Sequence, residues 1–208
     1  GKNCFVPYRV PVKEILQVGE NTLTVYFYSP VEYVNAAYKK CMTPMNSNGQ
    51  NGIVHIRKPQ CHFGWDWGPV LPVSGITKEI GLDFVHTARV AQLSVRQQLQ
   101  GNQAVITAKA QVEQYGDCAC TLQVTCPDGT VLTEKGTHAV FEIEKPELWW
   151  TRELSGKDSQ PLYTVSAVLT AKKKELDRAE KRVGLRTIEL NRERDQYGMN
   201  FQFRLNCV

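Results

Sequence analysis

The sequence predicts an all-β fold built from β-sandwiches. Apolar and polar residues alternate over most of the chain, which is typical of strands that bury one face. The alternating runs are short, and Gly, Pro, Asn or Asp residues bound them. Only one stretch has the clear spacing of an amphipathic helix. The 208 residues leave room for one large domain or for two small ones.

The predicted strands follow the alternation. In the first run, Leu23, Val25 and Phe27 share one face, and threonines and a tyrosine share the other. A short apolar run at residues 53–56 is interpreted as a strand with His55 on a sheet face. Further runs with the same period are interpreted as strands at residues 104–112, 120–126, 139–143, 163–169 and 199–205. Their spacing along the chain predicts one sandwich or two.

Local signals place one helix and two turns. Ser29 and Pro30 precede apolar residues at helical spacing, so the sequence predicts a helix over residues 30–41 with Ser29 as its cap. Residues 172–181 are compatible with a helix by composition, but strand-like runs flank them closely, so we predict two strand ends and a charged turn. Residues 127–129, Pro-Asp-Gly, predict a turn because proline presets φ and glycine accepts a positive φ.

Charge and hydropathy exclude several classes of partner. Lys and Arg number 25 and Asp and Glu number 21, which gives a net charge of +4 that is spread along the chain. This small excess does not indicate nucleic acid as a partner. The longest basic run, residues 172–174, is followed at once by acidic residues and is interpreted as a solvated turn. No apolar run approaches the roughly 20 residues of a membrane span, so we expect no membrane partner.

The seven cysteines indicate a reducing compartment. Their number is odd, no Asn-x-Ser/Thr glycan acceptor occurs, and the first residues lack the apolar region of a secretory signal. We therefore expect a cytoplasmic location. The three cysteines that lie closest together in the sequence are Cys118, Cys120 and Cys126. Their spacing lacks the Cys-x-x-Cys pairs of a structural zinc site. The last two alternate with Leu122 and Val124, as buried small side chains would, so we expect neither a metal nor a cofactor.

Residues 56–69 have the most informative composition in the chain. Trp65 and Trp67 flank Asp66, and Gly and Pro residues stand on both sides. An indole face covers the C–H face of a sugar ring, and a carboxylate accepts strong hydrogen bonds from sugar hydroxyls. The alternative is a packed, Trp-rich corner in which Asp66 caps backbone amides. Both interpretations predict a loop here.

Residues 62–69, His-Phe-Gly-Trp-Asp-Trp-Gly-Pro, resemble the β-mannosidases of glycoside hydrolase family 2. Residues 57–58 before this octapeptide and residues 72–76 after it share the resemblance. The octapeptide is the most specific of the matching segments. Others resemble the family in the same order, so that the resemblance covers essentially the whole chain: residues 5–9, 149–150, 160–163 and 181–188.

The resemblance implies three parts. Residues 1–85 would be the C-terminal part of a jelly-roll sugar-binding domain, residues 86–187 an immunoglobulin-like β-sandwich, and residues 188–208 a lead-in to a (β/α)₈ catalytic barrel. The family's two catalytic carboxylates lie in that barrel, and retaining enzymes hold them roughly 5 Å apart. We therefore expect this chain alone to be inactive. Its implied partners are mannosyl groups and the catalytic barrel of the same protein.

The resemblance also assigns roles within the octapeptide, none of them catalytic. Trp65 and Asp66 would be the pair that faces the terminal mannose and forms one wall of the sugar pocket. Gly64 and Gly68 would allow the turns of the loop backbone, and Trp67 would pack inward.

A second class of function stays open on the sequence. The chain would then be a stand-alone carbohydrate-binding or interaction module, with an exposed platform made from Trp65, Trp67, Trp149 and Trp150. A truncated jelly roll would also leave open strand edges, so we expect the chain to form a homodimer, to exchange strands between copies or to leave its first residues, roughly 30, disordered. The chain departs from the family pattern at three positions, Cys61, Thr77 and Cys207.

Overall fold

The structure, a computed structural model, describes residues 1–44, 49–66, 68–156 and 160–208. The chain separates into two compact units, Gly1–Leu82 and Asp83–Val208, which are described in turn. Strands dominate the secondary structure of the described residues, so the predicted all-β class is confirmed.

The second unit is a sandwich of two antiparallel sheets. One sheet has the order β1-β2-β5, and the other has the order β4-β3-β6-β7. Such a split of seven strands between two sheets is the architecture of immunoglobulin-like sandwiches. The strands are β1 (Ala88–Gln100), β2 (Gln103–Gln114), β3 (Ala119–Thr125), β4 (Val131–Lys135), β5 (His138–Glu144), β6 (Tyr163–Ala171) and β7 (Lys174–Val183).

The core of the sandwich confirms the predicted alternation. Alternate residues of β2, from Ala104 to Ala110, are buried against alternate residues of β5 and of the second sheet. Because side chains of successive strand residues point to opposite faces, the polar partners of these residues lie outside. Tyr163, at the start of β6, is buried, and its hydroxyl accepts the backbone N–H of Glu147 at 2.9 Å. Burial raises the pKa of this phenol.

Both turns predicted for this unit are present. Gly129 has φ 88°, and its N–H donates to the carbonyl of Cys126 at 3.0 Å, which closes the turn between β3 and β4. Residues 172–181 do not form a helix. Lys172 and Lys173 have φ of 49° and 66° and connect β6 to β7 as a two-residue hairpin turn.

The predicted strand at residues 199–205 is confirmed in its second half. A two-stranded antiparallel hairpin, β8 (Ile188–Asn191) and β9 (Gln202–Leu205), completes the second unit. The α2 helix (Arg152–Ser155) is a single turn between β5 and β6.

The first unit contains the predicted helix, α1 (Pro30–Lys40). The Ser29 hydroxyl accepts the N–H of Glu32 at 3.3 Å, and Pro30 occupies the first turn, where its missing N–H costs nothing. Val34, on the inner face of the helix, is fully buried. The sequence therefore predicted both the position and the cap of α1.

The strands predicted for residues 22–27 and 53–56 are wrong. Among the described residues of Gly1–Leu82 no strand forms, and the pairing there is limited to an isolated bridge between Asn3 and Arg57 and another in the loop that follows. Residues 53–55 form a 3₁₀ turn, and the His55 ring bonds to the Cys41 carbonyl at 2.9 Å. Alternation of apolar and polar residues determines which face of a strand would be apolar. A strand also needs a neighbouring segment to accept its backbone hydrogen bonds.

Candidate functional site

The Trp-rich loop is anchored in a small core of the first unit. Phe63, which ends a 3₁₀ turn at Gln60–Phe63, is fully buried against Val34 and Ile53. A buried aromatic ring removes a large apolar area from water and so contributes strongly to stability. Phe63 therefore fixes the start of the loop on helix α1.

Backbone hydrogen bonds hold both sides of the loop. The Phe63 carbonyl accepts the N–H of Gln50 at 3.0 Å, and the His62 carbonyl accepts the N–H of Leu71 at 2.9 Å. The Gln50 side chain also donates to the Asn35 side chain on α1 at 2.8 Å. These bonds bring residues 62 and 71 together and close the base of the loop.

Gly64 follows the 3₁₀ turn and begins the next part of the loop. Its φ of 109° and ψ of 152° lie in a region that side chains disfavour, so the position requires glycine. Gly68 is not in the left-handed region, and among the described residues nothing lies near its α-carbon that a methyl group would meet. The structure thus gives a conformational reason for glycine at position 64 and none at position 68.

A tight turn presents Asp66 at its tip. Trp65 and Gly68 form an antiparallel bridge, and the Gly68 N–H donates to the Trp65 carbonyl at 3.4 Å. The inward packing predicted for Trp67 lies outside the described residues.

The two side chains assigned to substrate are open to solvent. Trp65 is 45% exposed, and Asp66 is exposed. Within the described ranges, the Asp66 carboxylate has no hydrogen-bond or ion-pair partner, so the capping role that was its alternative interpretation is not seen there. An indole face and an unpaired carboxylate are therefore adjacent on a rigid base.

His62 is a residue to which the sequence interpretation gave no role. Its Nδ1 atom is buried and has no hydrogen-bond partner in the described part of the chain. His62 directly precedes the anchoring Phe63, and its carbonyl accepts the N–H of Leu71. The position of His62 inside the octapeptide was the sequence signal that could have drawn attention to it. The burial of one ring nitrogen cannot be inferred from the sequence.

The other two tryptophans lie in the sandwich unit and are packed. Trp149 donates its backbone N–H to the Leu185 carbonyl at 2.9 Å, and the Arg186 guanidinium lies 4.6 Å from the centre of its ring. The Trp150 carbonyl accepts the Gln160 side-chain amide at 2.8 Å. Both side chains are half-buried, which does not match an exposed platform.

Two partly buried cysteines, one in β3 and one directly after it, lie beside the sandwich core. Cys120 and Cys126 pack against the sandwich core, and burial raises the pKa of both thiols. Among the residues that the structure describes, no group of three His, Cys, Asp or Glu side chains is placed to hold a metal ion. In the same ranges, no helix has the length and apolar character to cross a membrane.

Two protein-family models together match most of the chain. Residues 1–78 match the model described as "Glycosyl hydrolase 2 galactose-binding domain-like", and residues 85–186 match "Glycosyl hydrolases family 2". The first match contains the Trp-rich loop, and the second contains the strands of the sandwich.

Similar proteins carry the name β-mannosidase. β-Mannosidase B of Aspergillus fumigatus is 35% identical over 99% of this chain, and that of Emericella nidulans is 33% identical over 99%. The crystal structure of a β-D-mannosidase from Dictyoglomus thermophilum superposes with a TM-score of 0.73 at 28% identity, covering 87% of this chain and 23% of that one. The chain spans 26% of the length of the two curated relatives.

Proposed function

Because the chain belongs to glycoside hydrolase family 2, we propose that it is the non-catalytic part of a β-mannosidase-like enzyme. The longer enzyme would hydrolyse terminal β-D-mannose residues with retention of configuration. This chain would supply the scaffold and one wall of the sugar pocket. The similarity of essentially the whole chain to proteins named β-mannosidase supports this proposal.

The observation that carries the proposal is the anchored turn with Trp65 and Asp66 at its tip. Phe63 and the two backbone bonds hold the base of the turn, so little entropy is lost when the tip meets a sugar. Trp65 would cover an apolar sugar face, and Asp66 would accept hydrogen bonds from hydroxyls. Gly64 would support this geometry by allowing the bend that precedes the pair.

The same turn argues against catalysis by this chain alone. Retention requires two carboxyl groups roughly 5 Å apart, one as nucleophile and one as acid and base. Asp66 is the only acidic residue in the loop from residue 60 to residue 71. We therefore assign Asp66 to binding and no residue of this chain to catalysis.

We expect the isolated chain to release no detectable aryl leaving group from an aryl β-mannoside, because the proposal assigns both catalytic carboxyl groups to the barrel of the longer enzyme. The measurement is a long incubation at high protein concentration, with the longer enzyme as positive control. Hydrolysis that copurifies with the 208-residue chain and persists after a further purification step would contradict the proposal.

A stand-alone sugar-binding module is the second candidate, and the exposure of Trp65 favours it. One wall of a pocket buries little of a ligand, so we expect mannose or mannobiose to leave the tryptophan fluorescence of the isolated chain unchanged. A saturable shift that Trp65→Ala abolishes would support the module instead.

We also propose that the isolated chain forms a homodimer. The first unit exposes many large apolar side chains, among them Leu23, Tyr26 and Val73, and exposed apolar surface favours association. Sedimentation at a series of concentrations is expected to show a dimer at the higher ones. A single monomeric species throughout would disprove it.

A cytoplasmic location is proposed as well, in keeping with seven free cysteines. Fractionation of the source cells tests it, and recovery of the protein outside the cytosol would overturn it.

A further inference from the structure

One open cleft of the sandwich unit contains two arginines. Its volume is about 420 Å³, and its lining includes Gln97 on β1, Arg182 on β7, and Trp149 and Arg186 in segments outside the strands. Leu162 adds an apolar part to the wall. Among the residues that the structure describes, no acidic side chain lines the cleft, so the cleft carries net positive charge.

Backbone contacts hold Trp149 in a defined position beside this cleft. Its N–H donates to the Leu185 carbonyl at 2.9 Å, and its carbonyl accepts the side-chain amide of Asn206 at 3.1 Å. A methyl group added to Gly184 would lie 2.7 Å from the indole ring, so the ring packs directly against the backbone of that residue. The indole is therefore fixed as one wall of the cleft.

Arg186 lies over this wall. Its guanidinium carbon is 4.6 Å from the centre of the Trp149 ring, and its backbone carbonyl accepts the Gln97 side-chain amide at 2.6 Å. A cation–π contact uses the charge of the guanidinium and leaves most of its five N–H donors available. A carboxylate is the group that such a planar set of donors binds best, because it can accept two of them in parallel.

Neither arginine of the cleft has an acidic partner within the described ranges. Glu180, the acidic residue nearest to Arg182 in the sequence, is paired with Arg178 at 3.2 Å, and Arg178 also binds Glu175 at 2.9 Å. The charge of Arg186 is half-buried, and burial of a charge is unfavourable until a partner of opposite charge compensates it. The ring supplies only part of that compensation.

Gln97 adds a second unsatisfied group to the same cleft. Its Oε1 atom is buried and has no hydrogen-bond partner among the described residues, and a buried acceptor without a donor is costly. The occupant that matches the cleft therefore brings negative charge for the arginines and an N–H donor for Gln97. An acidic residue of a polypeptide offers both, since its side chain carries the carboxylate and its backbone carries the N–H.

We propose that, in the longer enzyme, this cleft binds the carboxylate of an Asp or Glu residue from outside the 208-residue sequence. Arg186 donates to the carboxylate, and Arg182 adds a second positive charge. The inference rests on the proposed function, because it takes this chain to be part of a longer polypeptide. The share of 26% that it covers in the β-mannosidase B relatives supports that premise.

Arginine modification tests whether the cleft is covered in the longer enzyme. A dicarbonyl reagent is applied to the 208-residue chain and to the longer enzyme, and mass spectrometry gives the rate at each arginine. We expect Arg186 to react about 10-fold more slowly in the longer enzyme, the factor that one charge-assisted hydrogen bond implies. Arg96, which is exposed on β1, is the control and should react equally in both. Equal reaction of Arg186 in both proteins would overturn the proposal.

A cross-link identifies the chemistry of the occupant. Arg186→Lys in the longer enzyme supplies a primary amine, which a carbodiimide joins to a contacting carboxylate through an amide bond. We expect the linked acid to lie outside the 208-residue sequence, and Arg182→Lys is treated in parallel because lysine has a shorter reach. Arg178→Lys is the matched control, whose cross-link should lead to Glu175 or Glu180. The control cross-link without one at position 186 or 182 would disprove a carboxylate partner.

Two further readouts keep the outcomes distinct. Protection of Arg186 that appears only at high protein concentration would assign the cleft to a second copy and would also overturn the proposal. Hydrolysis of an aryl β-mannoside by the same sample reports on the proposed function separately. An active enzyme with an unprotected Arg186 disproves the cleft alone, and an inactive enzyme with the expected cross-link supports the cleft while counting against the function.

Discussion

Replacing Asp66 by asparagine in the longer enzyme is expected to lower kcat/KM for a terminal β-mannoside by about 10- to 150-fold. Asparagine has nearly the same shape, so the turn between Trp65 and Gly68 would be kept. The substitution removes the negative charge that strengthens hydrogen bonds from sugar hydroxyls. No described residue pairs with this carboxylate, so its loss would leave no buried partner unsatisfied.

Asp128→Asn is the matched control for Asp66→Asn. Asp128 also lies in a tight turn, but its carboxylate accepts the N–H of Thr130 at 2.8 Å, and this bond lowers its pKa. We expect Asp128→Asn to leave kcat/KM within about twofold. If Asp66→Asn also leaves kcat/KM unchanged, the substrate-facing role of the turn is wrong. Separate kcat and KM values show whether the interaction forms with the substrate or only in the transition state.

The sandwich was predictable because its strands find their partners within the chain. Each alternating run between residues 104 and 169 pairs with another strand, and the apolar face predicted by the pattern is the face that is buried. The turns were predictable for a different reason, since Pro127-Asp128-Gly129 carries its conformational preference in its own residues. Local preference and long-range pairing therefore agree throughout the sandwich.

In the first unit, local conformational preference predicts the structure, but the alternation of apolar residues does not. Helix α1 forms as predicted because its cap and its proline act locally. Residues 22–27 alternate just as regularly, yet Leu23 stays 71% exposed and no described residue pairs with the run. A β-strand needs a neighbouring segment that accepts and donates its backbone hydrogen bonds. An alternating sequence therefore does not form a strand by itself.

The residues of the candidate site could be predicted from the sequence, but the contacts that hold the loop in place could not. Two tryptophans, an aspartate and two glycines indicated a loop with sugar-binding chemistry. The contacts that hold the loop, such as the bond between Gln50 and the Phe63 carbonyl, join segments whose proximity no local pattern encodes. The buried Nδ1 of His62 is a consequence of the same tertiary packing.

Phe63→Ala is expected to cause the largest loss of stability in the first unit, about 3–5 kcal/mol in the free energy of unfolding. Among the described residues of this unit, the buried hydrophobic cluster consists of Val34, Ile53 and Phe63, so removal of the ring takes away its largest member. The cavity would also free the base of the loop, and a loosened Trp65 would no longer be held for a ligand.

The amide of Leu71 is a local probe of this change, because it donates to the His62 carbonyl only while the loop is closed. In Phe63→Ala its hydrogen exchange should approach the rate of an unstructured amide. Val70→Ala is the control in the same loop, since the Val70 side chain is 55% exposed and its loss should cost less than about 0.5 kcal/mol. A Leu71 amide that stays protected in Phe63→Ala would show that the loop is held without its buried ring, and the anchored turn would lose its physical basis.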